Sequence, residues 1–400
     1  MGLTMKEKKA VTKEQAKRYR RASRKEKGVM LNEFTALTGY NRTYASYVLS
    51  RHGREVKGVP GKVFVGEFRK KHTRKRESYY GMDVKKELIK IWEIMDYICG
   101  KRLAPVMSEL VPKLIEHGEL DISDEIKEKL LQISAPTIDR ILKEERKKYQ
   151  VKGRSGTKPG TLLKKQIPIR TYAQWNENKV GFVEIDLVGH EGGNPRGEFV
   201  QSLDVTDIAT CWTEVQAVRN KAQSRVFEAL KIIEDRMPFE LLGIDSDNGS
   251  EFINYQLIKY CENNSITFTR SRTGKKNDNC YIEQKNYSVV RRAVGYARYD
   301  TDKELRILNE LYELLRLYIN YFQPVMKCVG KTREGGKVKR IYDKARTPYR
   351  RMLESEHLQE STKEELKRVY ESLNPAELKR QITKIQNKLV RAKTRTSKTG

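Results

Sequence analysis

The placement of three acidic residues constrains this chain more than any other feature of its sequence. Asp186 lies within the apolar run 181–188 (GFVEIDLV), and Asp247 follows a second apolar run at 241–245. Glu283 comes after a gap of 35 residues, near the start of a helix-like stretch. Two Asp at strand ends and a Glu on a helix would hold two divalent metal ions about 4 Å apart, which suits in-line phosphoryl transfer. The sequence therefore predicts a carboxylate site for two metal ions.

Neighbouring acidic residues compete for two of these positions. Asp245 lies two residues before Asp247, so both would point to the same face of a strand. We favour Asp247, because the Asn-Gly turn that follows it places it at the rim of the sheet. Asp278 is the weaker alternative to Glu283. A single Asp at a strand end is more often a turn residue, but three acids on suitable elements in this order favour a site.

Three further acidic residues are expected to support the site. Asp204 and Asp207 should serve the second strand and the turn after it. Glu184 precedes Asp186 by two residues on the same strand face. It is therefore a candidate for an acid that supports the metal ligands without binding metal itself.

The net charge of +28, from 81 Lys and Arg against 53 Asp and Glu, predicts a nucleic-acid partner. Six of the eight residues at 69–76 (RKKHTRKR) are basic. Residues 181–260 reverse the balance, with 14 acidic and 7 basic residues. A bound cation would reconcile this acidic segment with DNA. The alternatives are a solvated basic surface or a protein that binds the ribosome or anionic lipid.

Cysteine usage and hydropathy indicate a cytoplasmic protein. The five Cys are scattered without paired spacing, which is typical of reduced thiols. Only Cys99 precedes residue 150, so an N-terminal His2Cys2 zinc module is excluded. The chain begins without an apolar signal region, and no stretch approaches eighteen apolar residues. We therefore expect neither secretion nor membrane insertion.

Residues 1–80 are predicted to form a basic arm and a first helix-turn-helix module. The segment 31–52 (LNEFTALTGYNRTYASYVLSRH) favours two short helices joined at Gly39. A Gly-containing turn between short helices is typical of DNA-binding helix-turn-helix units. The second helix carries Arg42, which we expect to contact DNA, and a plain helical hairpin is the alternative.

Residues 84–150 are predicted to form a second helix-turn-helix module. Helix-like runs lie at 84–97, 105–117, 124–132 and 136–148. Ser134 could cap the last helix, with Pro136 in the first turn, where its missing N–H costs nothing. Arg140 on that helix is a candidate DNA contact. Two modules in series would suit a long, bipartite DNA site.

Residues 151–178, rich in Gly, Pro and Lys, are predicted to be a linker. Within residues 179–300, strand-like runs lie at 180–188, 198–206, 210–218, 240–245 and 266–270. Helix-like runs lie at 221–236 and 251–263. Three strands followed by alternating helices and strands predict a mixed α/β sheet, in the element order of the ribonuclease H-like fold.

Residues 301–400 are predicted to form a mostly helical, basic C-terminal region. Helices are expected at 302–322, 352–374 and 376–393, with an irregular segment at 325–350. The fold class predicted for the whole chain is therefore multidomain. It has all-α helix-turn-helix modules, a central α/β ribonuclease H-like core and a helical C-terminal region.

Residues 161–350 resemble the DDE integrase/transposase superfamily, and bacterial insertion-sequence transposases in particular. The resemblance rests on motifs spread over nearly half the chain: 163–168 (LKKQIP), 183–188 (VEIDLV), 245–252 (DSDNGSEF), 269–272 (TRSR), 275–279 (KKNDN), 283–286 (EQKN) and 290–292 (VRR). The chain departs from retroviral integrases because it has no N-terminal zinc module. By analogy, helix-turn-helix units are expected to replace that module.

The resemblance implies that Asp186, Asp247 and Glu283 are both the catalytic residues and the metal ligands. Two Mg²⁺ or Mn²⁺ ions are expected in each site, since carboxylate oxygens suit these metals. The implied reactions are DNA 3′-end cleavage and strand transfer into target DNA. Expected partners are double-stranded DNA at the element ends and at the target, a homo-oligomer of this chain on that DNA, and an accessory ATPase. The implied location is the prokaryotic nucleoid.

A basic group around the third acid is expected to contact DNA near the site: Arg270, Arg272, Lys275, Lys276, Lys285, Arg291 and Arg292. Lys285 in particular is expected to bind a phosphate of the cleaved end, with a solvated helix face as the alternative.

Two other functions stay open from the sequence. One is a catalytically inactive DNA-binding regulator or domesticated transposase, and the other is a metal-dependent endonuclease without strand transfer. The intact acidic triplet argues against the inactive regulator. No GxxxxGK motif is present, so the chain shows no P-loop for ATP.

Overall fold

The computed structural model describes residues 3–53, 55–57, 63–65, 79–148, 179–247, 249, 251–270, 280–335 and 337–396. The chain divides into two compact units, Met1–Tyr79 and Tyr80–Gly400. The predicted linker 151–178 and the basic block 69–76 lie outside the described residues.

The first unit is a small helical domain. Its described elements are α1 (Met5–Arg21), α2 (Arg24–Thr38), α3 (Arg42–Arg51) and the antiparallel strands β1 (Glu55–Lys57) and β2 (Val63–Val65). Thr4 and Ser23 cap the first two helices through capping boxes, so α2 begins earlier than the apolar pattern indicated. Gly39, at a φ of 68°, ends α2 in the left-handed conformation. The two helices joined at Gly39 are thus present, with Phe34 and Leu49 buried in their core.

The described part of 80–148 is helical throughout. Its helices are α4 (Met82–Ile94), α5 (Gly100–Leu103), a 3₁₀ turn (Ala104–Val106), α6 (Met107–Glu116), α7 (Asp124–Gln132), α8 (Ala135–Ile141) and α9 (Lys143–Lys148). The single helix expected at 136–148 is therefore wrong, because the chain breaks at Leu142. Ser134 does occupy the N-cap position of α8, but its hydroxyl contacts the Thr137 hydroxyl at 3.0 Å instead of a helix amide.

A mixed α/β sheet forms the centre of the second unit, as predicted. Among the described residues its strands are β3 (Phe182–Gly189), β4 (Gln201–Asp207), β5 (Thr213–Val218), β6 (Gly243–Ser246) and β7 (Thr267–Arg270), and its order is β5-β4-β3-β6-β7. β3, β4 and β5 form an antiparallel meander, whereas β6 and β7 run parallel to β3. Helices α10 (Gln223–Arg236) and α11 (Tyr255–Asn263) provide the crossovers.

The register of the central strand fixes which side chains meet at the sheet's edge. In the parallel pair, Ile185 of β3 lies opposite Ser246 of β6. The next residues along each strand are Asp186 and Asp247, so both acids come to the same end of the sheet. In the antiparallel pair, Asp186 lies opposite Asp204 of β4.

Helices after the sheet cover one of its faces. They are α12 (Cys280–Lys285), a π-helical turn (Asn286–Arg291), α13 (Arg292–Val294) and the long helix α14 (Asp302–Tyr321). The helix-like stretch expected around Glu283 is thus helical from 280 to 294, with a π-turn in its middle. Helix α14 is tied to β5 by side-chain amides: Asn320 bonds both backbone groups of Thr213, at 2.9 Å each.

The C-terminal part contains a hairpin that the sequence did not predict. Strands β8 (Cys328–Glu334) and β9 (Lys337–Tyr342) pair in antiparallel fashion around Gly335, which has a φ of 59°. The irregular segment expected at 325–350 is thus wrong. Helices α15 (Pro348–Leu353), α16 (Glu360–Ser372) and α17 (Pro375–Thr396) follow, and α17 packs along α14. Within the described part of the chain, every helix is too short or too polar to cross a membrane.

A buried ion pair between the sheet and α14 should carry a large share of the core's stability. Arg316 Nε donates to Glu214 Oε2 at 2.6 Å, and the Glu214 side chain is fully buried. Burial raises the pKa of Glu214, and Arg316 opposes that rise. We predict that Arg316→Met lowers the free energy of unfolding by about 3 kcal/mol, because it leaves a buried carboxylate unpaired.

Urea unfolding followed by circular dichroism measures this effect. The exposed Arg306 on the same helix supplies the control, since Arg306→Met should change stability by no more than about 0.5 kcal/mol. Equal effects of the two substitutions would contradict the role given to the pair.

Candidate active site

Asp186 and Asp247 meet where the pairing between the parallel strands β3 and β6 ends. Asp186 is half-buried in β3, and Asp247 is the first residue after β6. The Asp247 Oδ1 atom accepts a hydrogen bond from the Gly249 N–H at 2.8 Å. Asp186 accepts from the Leu187 N–H at 2.8 Å through Oδ1 and from the Asn286 side-chain amide at 2.6 Å through Oδ2. Backbone and amide donors therefore hold both carboxylates in place.

The surroundings of these two carboxylates disfavour negative charge. Burial, followed by the nearby Asp247 carboxylate, raises the pKa of Asp186 to about 7, although the Asn286 hydrogen bond opposes the shift. Burial also raises the pKa of Asp247, and Glu251 adds to that rise. Among the described residues, no Lys or Arg forms an ion pair with either Asp. As far as the described residues go, the site is thus an acidic spot in a strongly basic chain.

Glu283 lies on the helix that faces this strand end. Its backbone belongs to α12, but its side chain lies outside the described part of the structure. Two bonds fix α12 against β3. The Glu184 Oε2 atom accepts from the Ile282 N–H at 2.9 Å, and Asn286 donates to Asp186. The residue before Glu283 and the residue three after it are thus both bonded to the strand that carries the first acid.

The donor set suits a hard divalent cation, although its third member is not described. The described side chains contain no cluster of three His, Cys, Asp or Glu groups that could hold a metal. They do contain two adjacent carboxylates whose pKa values are raised by burial and by nearby acids. Oxygen ligands of this kind fit Mg²⁺ or Mn²⁺, and a bound cation would relieve the electrostatic cost of the two charges.

The buried position of Lys285 disagrees with the expectation that this residue contacts a DNA phosphate. Its side chain is only 7% exposed, and its Nζ donates to the Cys211 carbonyl at 3.1 Å. Burial lowers the pKa of Lys285, while Cys211 and Asp204 favour its charged form. Asp204 is fully buried, and burial raises its pKa well above its ordinary value. This interior Lys therefore helps to seat α12 on the sheet.

The other predicted DNA contacts fall into four groups. Arg42 and Arg140 are exposed on the helices α3 and α8. Arg270 is buried at the end of β7. Two further residues are engaged within the protein, since Arg291 donates to the Gly189 carbonyl at 2.8 Å and Arg292 pairs with an acid of the helical segment 80–148. Three predicted contacts lie outside the described residues: Arg272, Lys275 and Lys276.

The competing acids have structural partners. Asp245 is buried within β6 and accepts from the Thr269 hydroxyl at 2.5 Å. Asp207 accepts from the Thr210 N–H and from the Gly181 N–H, so it closes the turn after β4 as expected. Asp278 lies outside the described residues. These placements favour Asp247 over Asp245 as the acid that faces the strand end.

Asn286 is a site residue to which the sequence reasoning gave no role. It lies three positions after Glu283, a spacing that puts two side chains on the same face of a helix. That spacing is the feature of the sequence from which a role for Asn286 could have been predicted. For Asp204 the sequence predicts only a structural role in its own strand. Its position opposite Asp186 becomes evident once the strand register is known.

Comparison with known proteins gives a relative that covers most of the chain and several distant structural likenesses. No protein-family model matches the chain. The chain is 39% identical over 325 residues to the "Uncharacterized protein y4rM" of Sinorhizobium fredii (strain NBRC 101917 / NGR234), an alignment that covers 81% of this chain and 89% of that protein.

The solved structures it resembles include two retroviral integrase cores. The catalytic core domain of BIV integrase matches with 18% identity and a TM-score of 0.30, over 44% of this chain and 96% of that one. The HTLV-2 integrase catalytic core domain in complex with magnesium matches with 12% identity and a TM-score of 0.29, over 38% and 93%.

The raised pKa of Asp186 predicts a pH-dependent stability cost when metal is removed. Because its folded-state pKa of about 7 exceeds the ordinary value of 3.8, the stability it contributes is present at low pH and is lost as pH rises through 7. In EDTA, Asp186→Asn should therefore be more stable than wild type at pH 8. That advantage should shrink by at least about 1 kcal/mol at pH 5.

Urea unfolding at the two pH values checks this expectation. Asp235→Asn, at an exposed position of α10, is the matched control and should follow wild type at both. An advantage of Asp186→Asn that is equal at pH 5 and pH 8 would contradict the electrostatic description of the site.

Proposed function

This chain belongs to the same family as the y4rM protein of Sinorhizobium fredii, and we propose that it is a DDE transposase. It would act as a metal-dependent polynucleotidyl transferase that frees the 3′ ends of a mobile element and joins them to target DNA. One observation carries the proposal. Asp186 and Asp247 converge where the pairing of the parallel strands β3 and β6 ends, next to the helical segment that carries Glu283 and is bonded to Asp186 through Asn286.

The sheet topology supports a ribonuclease H-like core. The order β5-β4-β3-β6-β7 combines an antiparallel meander with two parallel strands reached through helices. In open sheets of this kind, functional groups collect at the carboxyl ends of the parallel strands. Asp247 occupies that position, and Asp186 follows the last residue of β3 that pairs with β6, which agrees with the resemblance of the motifs around them.

Asp186, Asp247 and Glu283 would together hold two Mg²⁺ or Mn²⁺ ions. When bound, such ions stabilise the charge that develops on the attacking and leaving oxygens of a phosphodiester. The protein's own contribution is to fix its carboxylates before DNA arrives. Asn286 orients Asp186, the Gly249 N–H orients Asp247, and Glu184 anchors the start of the helix that bears Glu283.

Electrostatics favour an enzyme over an inactive DNA-binding regulator. Two desolvated carboxylates with raised pKa values carry an electrostatic cost in the folded protein. Such perturbed groups are typical of functional sites. A regulator that only bound DNA would gain nothing from an acidic spot at the centre of a basic protein, because that spot repels phosphate.

The helical parts of the chain are the proposed DNA-binding modules. Helices α2 and α3 meet at the Gly39 turn, and α3 exposes Arg42. In the second module, α7 and α8 are separated by two residues, and α8 exposes Arg140. These units would recognise the element ends. Because two ends must be joined together, we expect a homo-oligomer on DNA, located in the cytoplasm with the nucleoid.

We predict that Glu283→Gln abolishes 3′-end cleavage and strand transfer but leaves DNA binding unchanged. The substitution keeps the size of the side chain and removes the negative charge needed for metal. A strand-transfer assay in Mg²⁺, on DNA that carries the sequences flanking the gene, measures the reaction, and a gel-shift assay measures binding. Glu228→Gln, on the exposed face of α10, should behave as wild type.

Joined products from Glu283→Gln would refute the assignment of the third ligand. Cutting without joining by the wild-type protein would favour the endonuclease alternative. Tight binding with neither reaction would favour the regulator.

Glu184 should act as a positioning residue for the helix that carries Glu283. We predict that Glu184→Ala lowers the rate of strand transfer about 10- to 100-fold and raises the Mg²⁺ concentration needed for half the maximal rate. Its loss frees the Ile282 N–H and lets the helix shift away from Asp186. Glu184→Gln keeps an acceptor oxygen and should recover much of the loss. A lower rate with an unchanged Mg²⁺ requirement would mean that Glu184 serves only stability.

A further inference from the structure

A cavity of about 570 Å³ lies against the helix that carries Glu283, apart from the carboxylate site. Gln284, Tyr287 and Ser288 contribute one wall, and side chains of α14 and α17 contribute others. Asn286, which turns towards Asp186, is not among the lining residues. The cavity has the size of ordinary small-ligand sites, about 300–1,000 Å³.

The cavity wall carries an excess of positive charge. Four cationic side chains line it, Arg102, Lys285, Arg292 and Lys379, against the single carboxylate of Asp96. Asp96 pairs with two of them, Arg292 at 2.6 Å and Lys379 at 2.7 Å. One carboxylate of the lining therefore serves two of its four cations.

Arg102 and Lys285 satisfy their donors with neutral groups. Arg102 Nε donates to the Pro324 carbonyl at 2.6 Å, and Lys285 Nζ donates to the Cys211 carbonyl at 3.1 Å. Within the described residues, neither side chain has a carboxylate at ion-pair distance. Burial lowers the pKa of Arg102, which reflects the cost of holding its charge away from water. An anion bound in the cavity would offset that cost.

Aromatic and apolar side chains share the lining with these cations. The Tyr287 side chain is 62% exposed and that of Tyr342 is 43% exposed. Leu315 and Ile319 of α14 add apolar surface. Exposed tyrosines offer a flat face on which a nucleobase can stack, whereas guanidinium and ammonium groups bind phosphate.

We propose that this cavity binds a nucleotide, with its phosphate against the cationic wall and its base against an exposed tyrosine. The shared chemistry is a nucleoside 5′-phosphate, either free in solution or as the end of a DNA strand. The proposal is independent of the proposed function, because binding requires neither divalent metal nor DNA cleavage.

Equilibrium dialysis of the full-length protein with deoxyadenosine 5′-monophosphate tests the proposal. EDTA keeps metal from the carboxylate site, and physiological ionic strength suppresses non-specific binding. We expect saturable binding to one site. Lys379→Met should weaken it about tenfold through loss of a charge-assisted hydrogen bond, and Tyr287→Ala should weaken it about tenfold through loss of stacking.

Lys388→Met is the matched control, since Lys388 lies on the same helix but pairs with Glu310 and does not line the cavity. It should bind like wild type, and thermal unfolding should verify that all three variants fold. Absence of saturable binding, or equal weakening by Lys388→Met, overturns the proposal. Competition by a short single-stranded oligonucleotide identifies a DNA end as the ligand, and its failure to compete identifies a free nucleotide.

Discussion

The bonding of helix α12 to strand β3 is the constraint on which the proposed site depends. Glu184 and Asp186 lie two residues apart on one face of the strand, a rise of about 6.6 Å. Their partners, Ile282 and Asn286, lie four residues apart in the helical segment, a rise of about 6 Å. Because these spacings match, both bonds form in one register. That register sets the backbone of Glu283 relative to the first acid.

The same region concentrates groups that cost stability. Buried Asp204 lies opposite Asp186 in the sheet and close to buried Lys285, and burial raises the pKa values of Asp186 and Asp247. A π-turn at Asn286–Arg291 follows directly, and π-turns inside helices are frequent at functional sites. A protein selected only for stability would replace such groups with apolar ones. Their concentration around one strand end therefore supports a functional use that a bound cation and DNA would complete.

Much of the sheet was predictable from the sequence, because its strands are short apolar runs bounded by turns. The position of Asp247 after a strand followed from those runs, whereas the expectation that Asp186 ends its strand is wrong, because β3 continues to Gly189. The hairpin β8–β9 was missed, because its strands are basic and contain Gly330, a pattern usual for loops. The π-turn has no recognisable pattern of apolar residues in the sequence, so it could not be predicted. The interior position of Lys285 depends on packing between distant segments, which sequence spacing does not reveal.

The central claim is that Asp186, Asp247 and Glu283 converge on divalent metal. The most direct measurement is anomalous X-ray scattering from crystals of the full-length protein grown with Mn²⁺. The account predicts anomalous peaks between the three carboxylates, and loss of at least one peak in crystals of Glu283→Gln. Anomalous peaks elsewhere, with this strand end empty in the wild-type protein, would contradict it.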